Sequence, residues 1–200
     1  LASFYRKVAR LEEAASTLTE ALEISGGDSG IRESLEDVQL DQLRHNINLA
    51  KDAAARDDDD VASRNVRALG EELIKREIEV FSSRIERYPN DLKLKSELGN
   101  RFVRIKKYTQ AIPLFQVCVK DQRLQTAALT SLGKCFIAEK KGKLAKRQFE
   151  KAVDTVDQID QPDLYKETHY WLARLLEEEG NSSEAENHYT EVLAVDYEYK

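Results

Sequence analysis

The sequence predicts an all-α protein, a solenoid of helix hairpins with one long antiparallel helical hairpin in its N-terminal half. Two observations carry this reading. Leu98, Gly99, Phe102, Ala111 and Phe115 return in order, 34 positions later, as Leu132, Gly133, Phe136, Ala145 and Phe149. A fixed period of that length marks stacked units, each burying its apolar face only against its neighbours. Between Ile31 and Tyr88, apolar residues instead step by three and four over stretches too long for one helix of such a unit.

Taken in chain order, the first segment is 1–25. Tyr5, Ala14, Leu18 and Ala21 reproduce the spacing of Phe102, Ala111, Phe115 and Cys118, so the segment reads as the back half of a repeat without its front. With Leu1 at the start and no Met anywhere, we expect a fragment of a longer protein with further repeats upstream. Gly26-Gly27-Asp28-Ser29-Gly30 follows as a helix stop and linker. A phosphate-binding loop would need a preceding strand and a Lys-Ser/Thr ending, and neither is present.

The long hairpin occupies 30–91. Leu40, Leu43, Ile47, Ala50 and Ala54 form a heptad-like stripe on a helix running from Ile31 to about Arg56. Its partner carries Ala62, Val66, Leu69 and Leu73, then Ile74, Ile78, Phe81, Ile85 and Tyr88, and merges into the repeat array. Asp57 to Asp60, between the two, reads as a turn and helix start, where carboxylates interact well with the helix dipole. The Gly and distal Glu of a calcium loop are missing there. A protruding hairpin of this length also allows self-association into a homodimer. Pro89-Asn90-Asp91 closes the segment.

Three repeats follow, at 92–125, 126–159 and 166–199. In the first two, Leu-Gly and an aromatic three residues on share one helix side, the Gly admitting a second helix closely. Ala and an aromatic four residues later form the facing stripe. The third copy, Leu172, Ala173, Leu176, Ala185 and Tyr189, lies 40 residues beyond the second because Gln158 to Asp163 is inserted. Pro162 in that insertion suits a helix start. The turns within the three hairpins fall at Lys106-Lys107-Tyr108, Lys140-Lys141-Gly142 and Gly180-Asn181.

This residue set resembles the tetratricopeptide repeat (TPR), whose signature is a Leu-Gly, Tyr, Ala, Phe, Pro series over 34 residues. The family's Trp slot is Lys95 in the first copy, and its terminal Pro slot is Arg123, Asp157 and Tyr197 in the three copies. The resemblance implies a right-handed superhelix whose first helices line a concave groove that binds a protein or peptide. Groove positions implied in this way are Lys93, Ser96, Asn100, Val103 and Arg104 in the first copy. The second contributes Ala127, Thr130, Lys134, Ile137 and Ala138, and the third Glu167, Tyr170, Arg174 and Glu177 with Trp171 beside them. Asn100 matches an Asn that family members use to hold a peptide backbone. Lys134 is the candidate carboxylate donor and Tyr170 the aromatic anchor. Glu167 would repel a carboxylate, which disfavours a chaperone-tail ligand.

Composition sets the remaining bounds. Of 200 residues, 41% are apolar and 34% charged, which fits a soluble helical protein with a cytoplasmic location. No apolar run reaches the ~20 residues that span a bilayer. Cys118 and Cys135 occupy core-facing slots and read as buried reduced thiols, although a disulfide between them is allowed. The net charge of −6 hides a division: 13 Lys or Arg against 3 acids over 99–151, then 3 against 13 over 152–200. The basic part, with Lys140, Lys141, Lys143, Lys146 and Arg147 close together, gives nucleic-acid binding as the alternative function. Few aromatics interleave there, and the acidic part opposes it. His45, His169 and His188 show no metal-ligand spacing, though the last two sit on paired helices of one repeat. No nucleophile elbow or catalytic constellation is present, so the sequence predicts no enzyme activity, no cofactor and no metal. The reading is a non-enzymatic protein-interaction scaffold.

Overall fold

A computed structural model describes residues 1–55 and 60–198, and all regular structure among them is helical. The helices are α1 (Ala2–Lys7), α2 (Leu11–Ile24), α3 (Ser29–Ala54), α4 (Asp60–Arg87), α5 (Leu92–Arg104), α6 (Tyr108–Cys118), α7 (Gln125–Ala138), α8 (Gly142–Val153), α9 (Pro162–Glu178) and α10 (Ser182–Val195). They fall into two compact units, Leu1–Val80 and Phe81–Lys200. Of the expected acidic turn, Asp57, Asp58 and Asp59 lie outside the described residues, and Asp60 opens α4.

In the first unit, α2 packs on both α1 and α3. The segment expected as a back half thus contains a first helix, α1, of six residues. The core holds Ala14, Val38, Leu40, Ile47 and Val80. Leu43, Ala50 and Ala54 of the predicted stripe are only half-buried, so α3 seals with Val38, Leu40 and Ile47. A chain of ion pairs ties the helices across this core. Arg6 on α1 reaches Asp41 on α3 at 2.6 Å, Asp41 accepts from Arg44 at 3.0 Å, and Arg44 holds Glu77 on α4 at 2.7 Å. Glu77 is 3% exposed, so its ion pair with Arg44 sits at the edge of the core, where removing one partner of a pair costs more than at the surface. The Gly26–Gly30 linker ends in a cap: the Asp28 carboxylate accepts from the Ile31 amide at 2.9 Å.

The second unit is built from the hairpins α5–α6, α7–α8 and α9–α10, with α6 packing on α7 and α8 on α9. The repeat spacing becomes a physical lock here. Phe115 packs on Gly99 so closely that a Cβ at Gly99 would lie 2.8 Å from its ring, and a Cβ at Gly133 would meet Phe149 at 2.5 Å. Ala111, Ala145 and Ala185 are buried between the paired helices. Cys118 and Cys135 are both buried free thiols. Burial pushes the Cys135 thiol up to about 11, which suits an inert core side chain.

Each hairpin turns in the same way. Lys106, Lys140 and Gly180 have φ of +60°, +57° and +82°, and Ala9 between α1 and α2 has +57°. The next amide then reaches back to close the first helix: Lys107 to Phe102, Lys141 to Phe136 and Asn181 to Leu176, each at 2.8 Å. Arg10 does the same to Tyr5 at 2.9 Å. A left-handed residue followed by this long reach is a Schellman stop, which favours Gly and tolerates others at a cost. α5 starts on the Asp91 carboxylate, which accepts from the Leu94 amide at 3.0 Å, and α9 starts on Pro162.

Two glycines inside helices predict opposite outcomes. Gly70 on α4 has open space where a Cβ would go, so Gly70→Ala should gain up to ~1 kcal/mol from helix propensity alone. At Gly133 the same methyl must displace Phe149, and Gly133→Ala should cost about 1–3 kcal/mol net. Chemical denaturation of both variants measures this. Equal effects would mean that the ring does not seat on the glycine.

Candidate partner-binding surface

The positions implied as a groove lie on α5, α7 and α9, the first helices of the three hairpins, and α7 packs against both of the others. These helices bring the named side chains to quite different places. On α5, Lys93, Asn100 and Arg104 are exposed and Ser96 and Val103 half-buried. Lys93 lines an open cleft of ≈460 Å³ with Asn90, Asp91 and the α6–α7 connection at Asp121, Arg123 and Leu124. On α7, Ala127 and Ala138 are exposed and Ile137 is half-buried against the core.

Thr130 requires a correction. It is 1% exposed, and its hydroxyl pairs with that of Thr168 at 2.8 Å across the α7–α9 contact. One hydroxyl donates to the other across a buried interface, so Thr130 joins helices and presents nothing to a partner. Lys134, expected as a donor to a partner carboxylate, already donates to Glu167 at 2.6 Å. The pair is about one-third exposed on each side, where such bridges contribute roughly 0.2–1 kcal/mol. The same contact sets the Lys134 charge directly against Glu167. A second bridge, Lys146 to Glu179 at 2.8 Å, joins the same two hairpins.

On α9 the structure gathers an aromatic and cationic patch. Tyr170 and Trp171 meet edge to face with centroids 5.8 Å apart, and Tyr189 from α10 lies 6.2 Å from Tyr170. The Arg174 guanidinium sits 5.4 Å above the Trp171 ring. The Tyr189 hydroxyl donates to Glu177 at 2.9 Å. Trp171 packs against the core with one side and is half-buried, so it is both a packing and a surface residue. Tyr189 was expected only as the facing ring of the third repeat.

Behind the patch, on the buried side of α9, His169 meets His188 of α10 with Nδ1 atoms 3.1 Å apart. The Tyr165 ring stacks on His169 at 4.2 Å, and its hydroxyl donates to Glu191 at 2.6 Å. Burial pushes the His169 pKa down to about 4, with His188 adding to the fall. Burial also lowers His188, against the raising effect of Glu184 and Glu191.

The hairpin solenoid with interlocked small and aromatic side chains matches a known repeat family in two of its segments. Residues 1–32 and residues 166–199 each match a tetratricopeptide repeat profile. These two segments are tetratricopeptide-repeat-like, and the chain as a whole has the fold of a TPR-like helical solenoid. Among solved structures it is similar to MamA proteins. A structure titled "Crystal structure of MamA" is 13% identical with a TM-score of 0.65, covering 98% of this chain and 95% of that one. The fragment "MamA 41-end from Desulfovibrio magneticus RS-1" is 19% identical with a TM-score of 0.62 over 98% and 95%. The "MamA RS-1 ArsTM double mutant" is 18% identical at 0.64 over 98% and 90%. At these identities the likeness is one of fold. No curated protein matches the sequence.

The histidine pair makes a pH prediction with a defined sign. A folded-state pKa held below the ordinary 6.5 means that the unfolded chain binds the proton first. Stability is therefore complete above about pH 6.5 and falls as pH drops toward about 4, by on the order of 1–3 kcal/mol. Urea unfolding at pH 7.5 and 5.0 should show the loss, and His169→Phe should show a shallower one. Identical slopes in the two proteins would exclude the pair as its source.

Proposed function

We propose that this chain is a non-enzymatic scaffold that holds an extended segment or helix of a partner protein against α9 and the neighbouring face of α7. The repeat fold supports a protein-interaction role, and the side-chain set of the patch supports the place. Tyr170, Trp171, Arg174 and Tyr189 combine large half-exposed rings with a guanidinium, the residue types that dominate binding energy at protein interfaces. Rings already packed on one side lose little conformational freedom when a partner covers the other. Lys134 and Glu167, next along the helices, offer a neutral polar rim with donor and acceptor capacity left over. Asn100 on α5 stays exposed, and an amide of this kind can pair with both the N–H and C=O of a peptide group.

The nucleic-acid alternative is weakened by the same geometry. Lys134 and Lys146, two cations of the basic segment, are engaged by Glu167 and Glu179 of the acidic one. A phosphate backbone laid across them would meet those carboxylates as well. No helix among the described residues is long and apolar enough to cross a membrane.

Trp171 is the chain's single Trp, so its emission reports this patch directly. A library of extended peptides should contain sequences that shift Trp171 emission on binding. Tyr170→Ala with Arg174→Ala should weaken those peptides at least tenfold while far-UV circular dichroism stays unchanged. Binding that survives in the double variant would place the partner surface elsewhere.

A further inference from the structure

The pair behind the patch has a geometry that the sequence spacing does not announce. His169 and His188 come from the antiparallel helices α9 and α10, and their Nδ1 atoms lie 3.1 Å apart, with ring centroids at 5.1 Å and planes 59° apart. We propose that these two imidazoles form a site for a borderline divalent transition metal such as Zn2+, Ni2+ or Cu2+, its remaining positions filled by water. Two metal–nitrogen bonds of about 2.0–2.1 Å spanning this separation would enclose an angle of about 98°, between square and tetrahedral values. Imidazole donors without a thiolate suit these metals, while Mg2+ and Ca2+ demand oxygen ligands.

The surroundings support the role in three ways. The site is orientated: Tyr165 stacks on His169 at 4.2 Å and is itself anchored on Glu191 at 2.6 Å, an outer shell of the kind that fixes ligand rings. It is electronegative: Glu184 and Glu191 lie one turn to either side of His188 on α10, within a segment holding 13 acids against 3 Lys or Arg. Its two ligands differ in access, His188 being partly buried and His169 5% exposed. Without metal, one Nδ1–H donates to the other Nδ1. On binding, that proton moves through solvent to Nε2 of its own ring, so both Nδ1 lone pairs become available with no net proton release.

Among the described residues no group of three His, Cys, Asp or Glu converges to hold a metal. Two protein ligands therefore predict reversible binding rather than a structural site. The experiment titrates ZnCl2, and separately MgCl2, into the chain at pH 7.5 and follows heat of binding and thermal midpoint. Zn2+ should raise the midpoint, EDTA should reverse the rise, and Mg2+ should have no effect. His188→Gln, at the more exposed position, should lower Zn2+ affinity at least tenfold, and His45→Gln should leave it unchanged. In the unsubstituted protein, nitrogen-detected NMR should show Zn2+ shifting Nδ1 of His169 and His188, a readout independent of how any variant folds. Equal Zn2+ affinity in His188→Gln, no response of the unsubstituted protein at 100-fold molar excess, or Zn2+ shifts confined to other groups would each overturn the proposal.

Discussion

Two phenyl rings seated on two glycines hold the second unit together. Phe115 and Phe149 occupy the space that a Cβ at Gly99 and Gly133 would need, and both rings are buried. Each contact closes one hairpin, and each closed hairpin offers a flat face to the next, so the stack depends on the rings lying deep. The third hairpin departs from this rule in a way that bears on function. Ala173 carries the methyl that Gly lacks, and its opposing ring, Tyr189, stays only half-buried with its hydroxyl on Glu177. Tyr189 thereby remains part of the aromatic surface around Tyr170.

Charge then fixes how the second and third hairpins meet. The basic 99–151 segment and the acidic 152–200 segment are neighbours in the stack, and part of their opposition is internal. Lys134 meets Glu167 and Lys146 meets Glu179, with the Thr130–Thr168 hydroxyl pair buried beside them. Each bridge alone contributes little. Together with a dry hydroxyl pair they penalise any slip of α9 along α7, because a one-turn shift would bury unpaired polar groups. The charge division is therefore a register device within the molecule, at least at these two bridges.

The fold was legible from the sequence because its cause is periodic. Leu-Gly, Ala and aromatic spacing dictates which faces pair, and the turn positions follow from the same period, down to Lys106, Lys140 and Gly180. The two long helices were legible from their stripes, although the buried Glu77 was not, since a Glu within a charged helix looks solvent-facing until Arg44 is placed opposite it. The partner surface was legible only as a set of helix faces. A face can be read from spacing, but what the neighbouring helix presents to it cannot. Thr130 and Lys134 lie on the face expected, yet Thr130 meets Thr168 and Lys134 meets Glu167 of the next hairpin. The residue equivalent to Lys134 in the third copy is Arg174, two turns further on. The histidines show the same limit: their pairing on one hairpin was visible, their 3.1 Å approach was not.

Nearest-neighbour stacking also decides how far a local event travels. In a solenoid each hairpin feels chiefly the adjacent one, so a change at His169 or His188 acts on α9 and α10 before anything else. His169 faces the α9–α10 interior, and the next residue, Tyr170, faces the aromatic patch. Any shift in how α10 sits on α9 must therefore move Tyr189 relative to Tyr170, because both histidines and both tyrosines span the same pair of helices. The Tyr165–Glu191 bond ties the far end of this contact to the same two elements. The histidine pair and the candidate interaction surface thus share one hairpin, with His169 and Tyr170, and His188 and Tyr189, adjacent along α9 and α10.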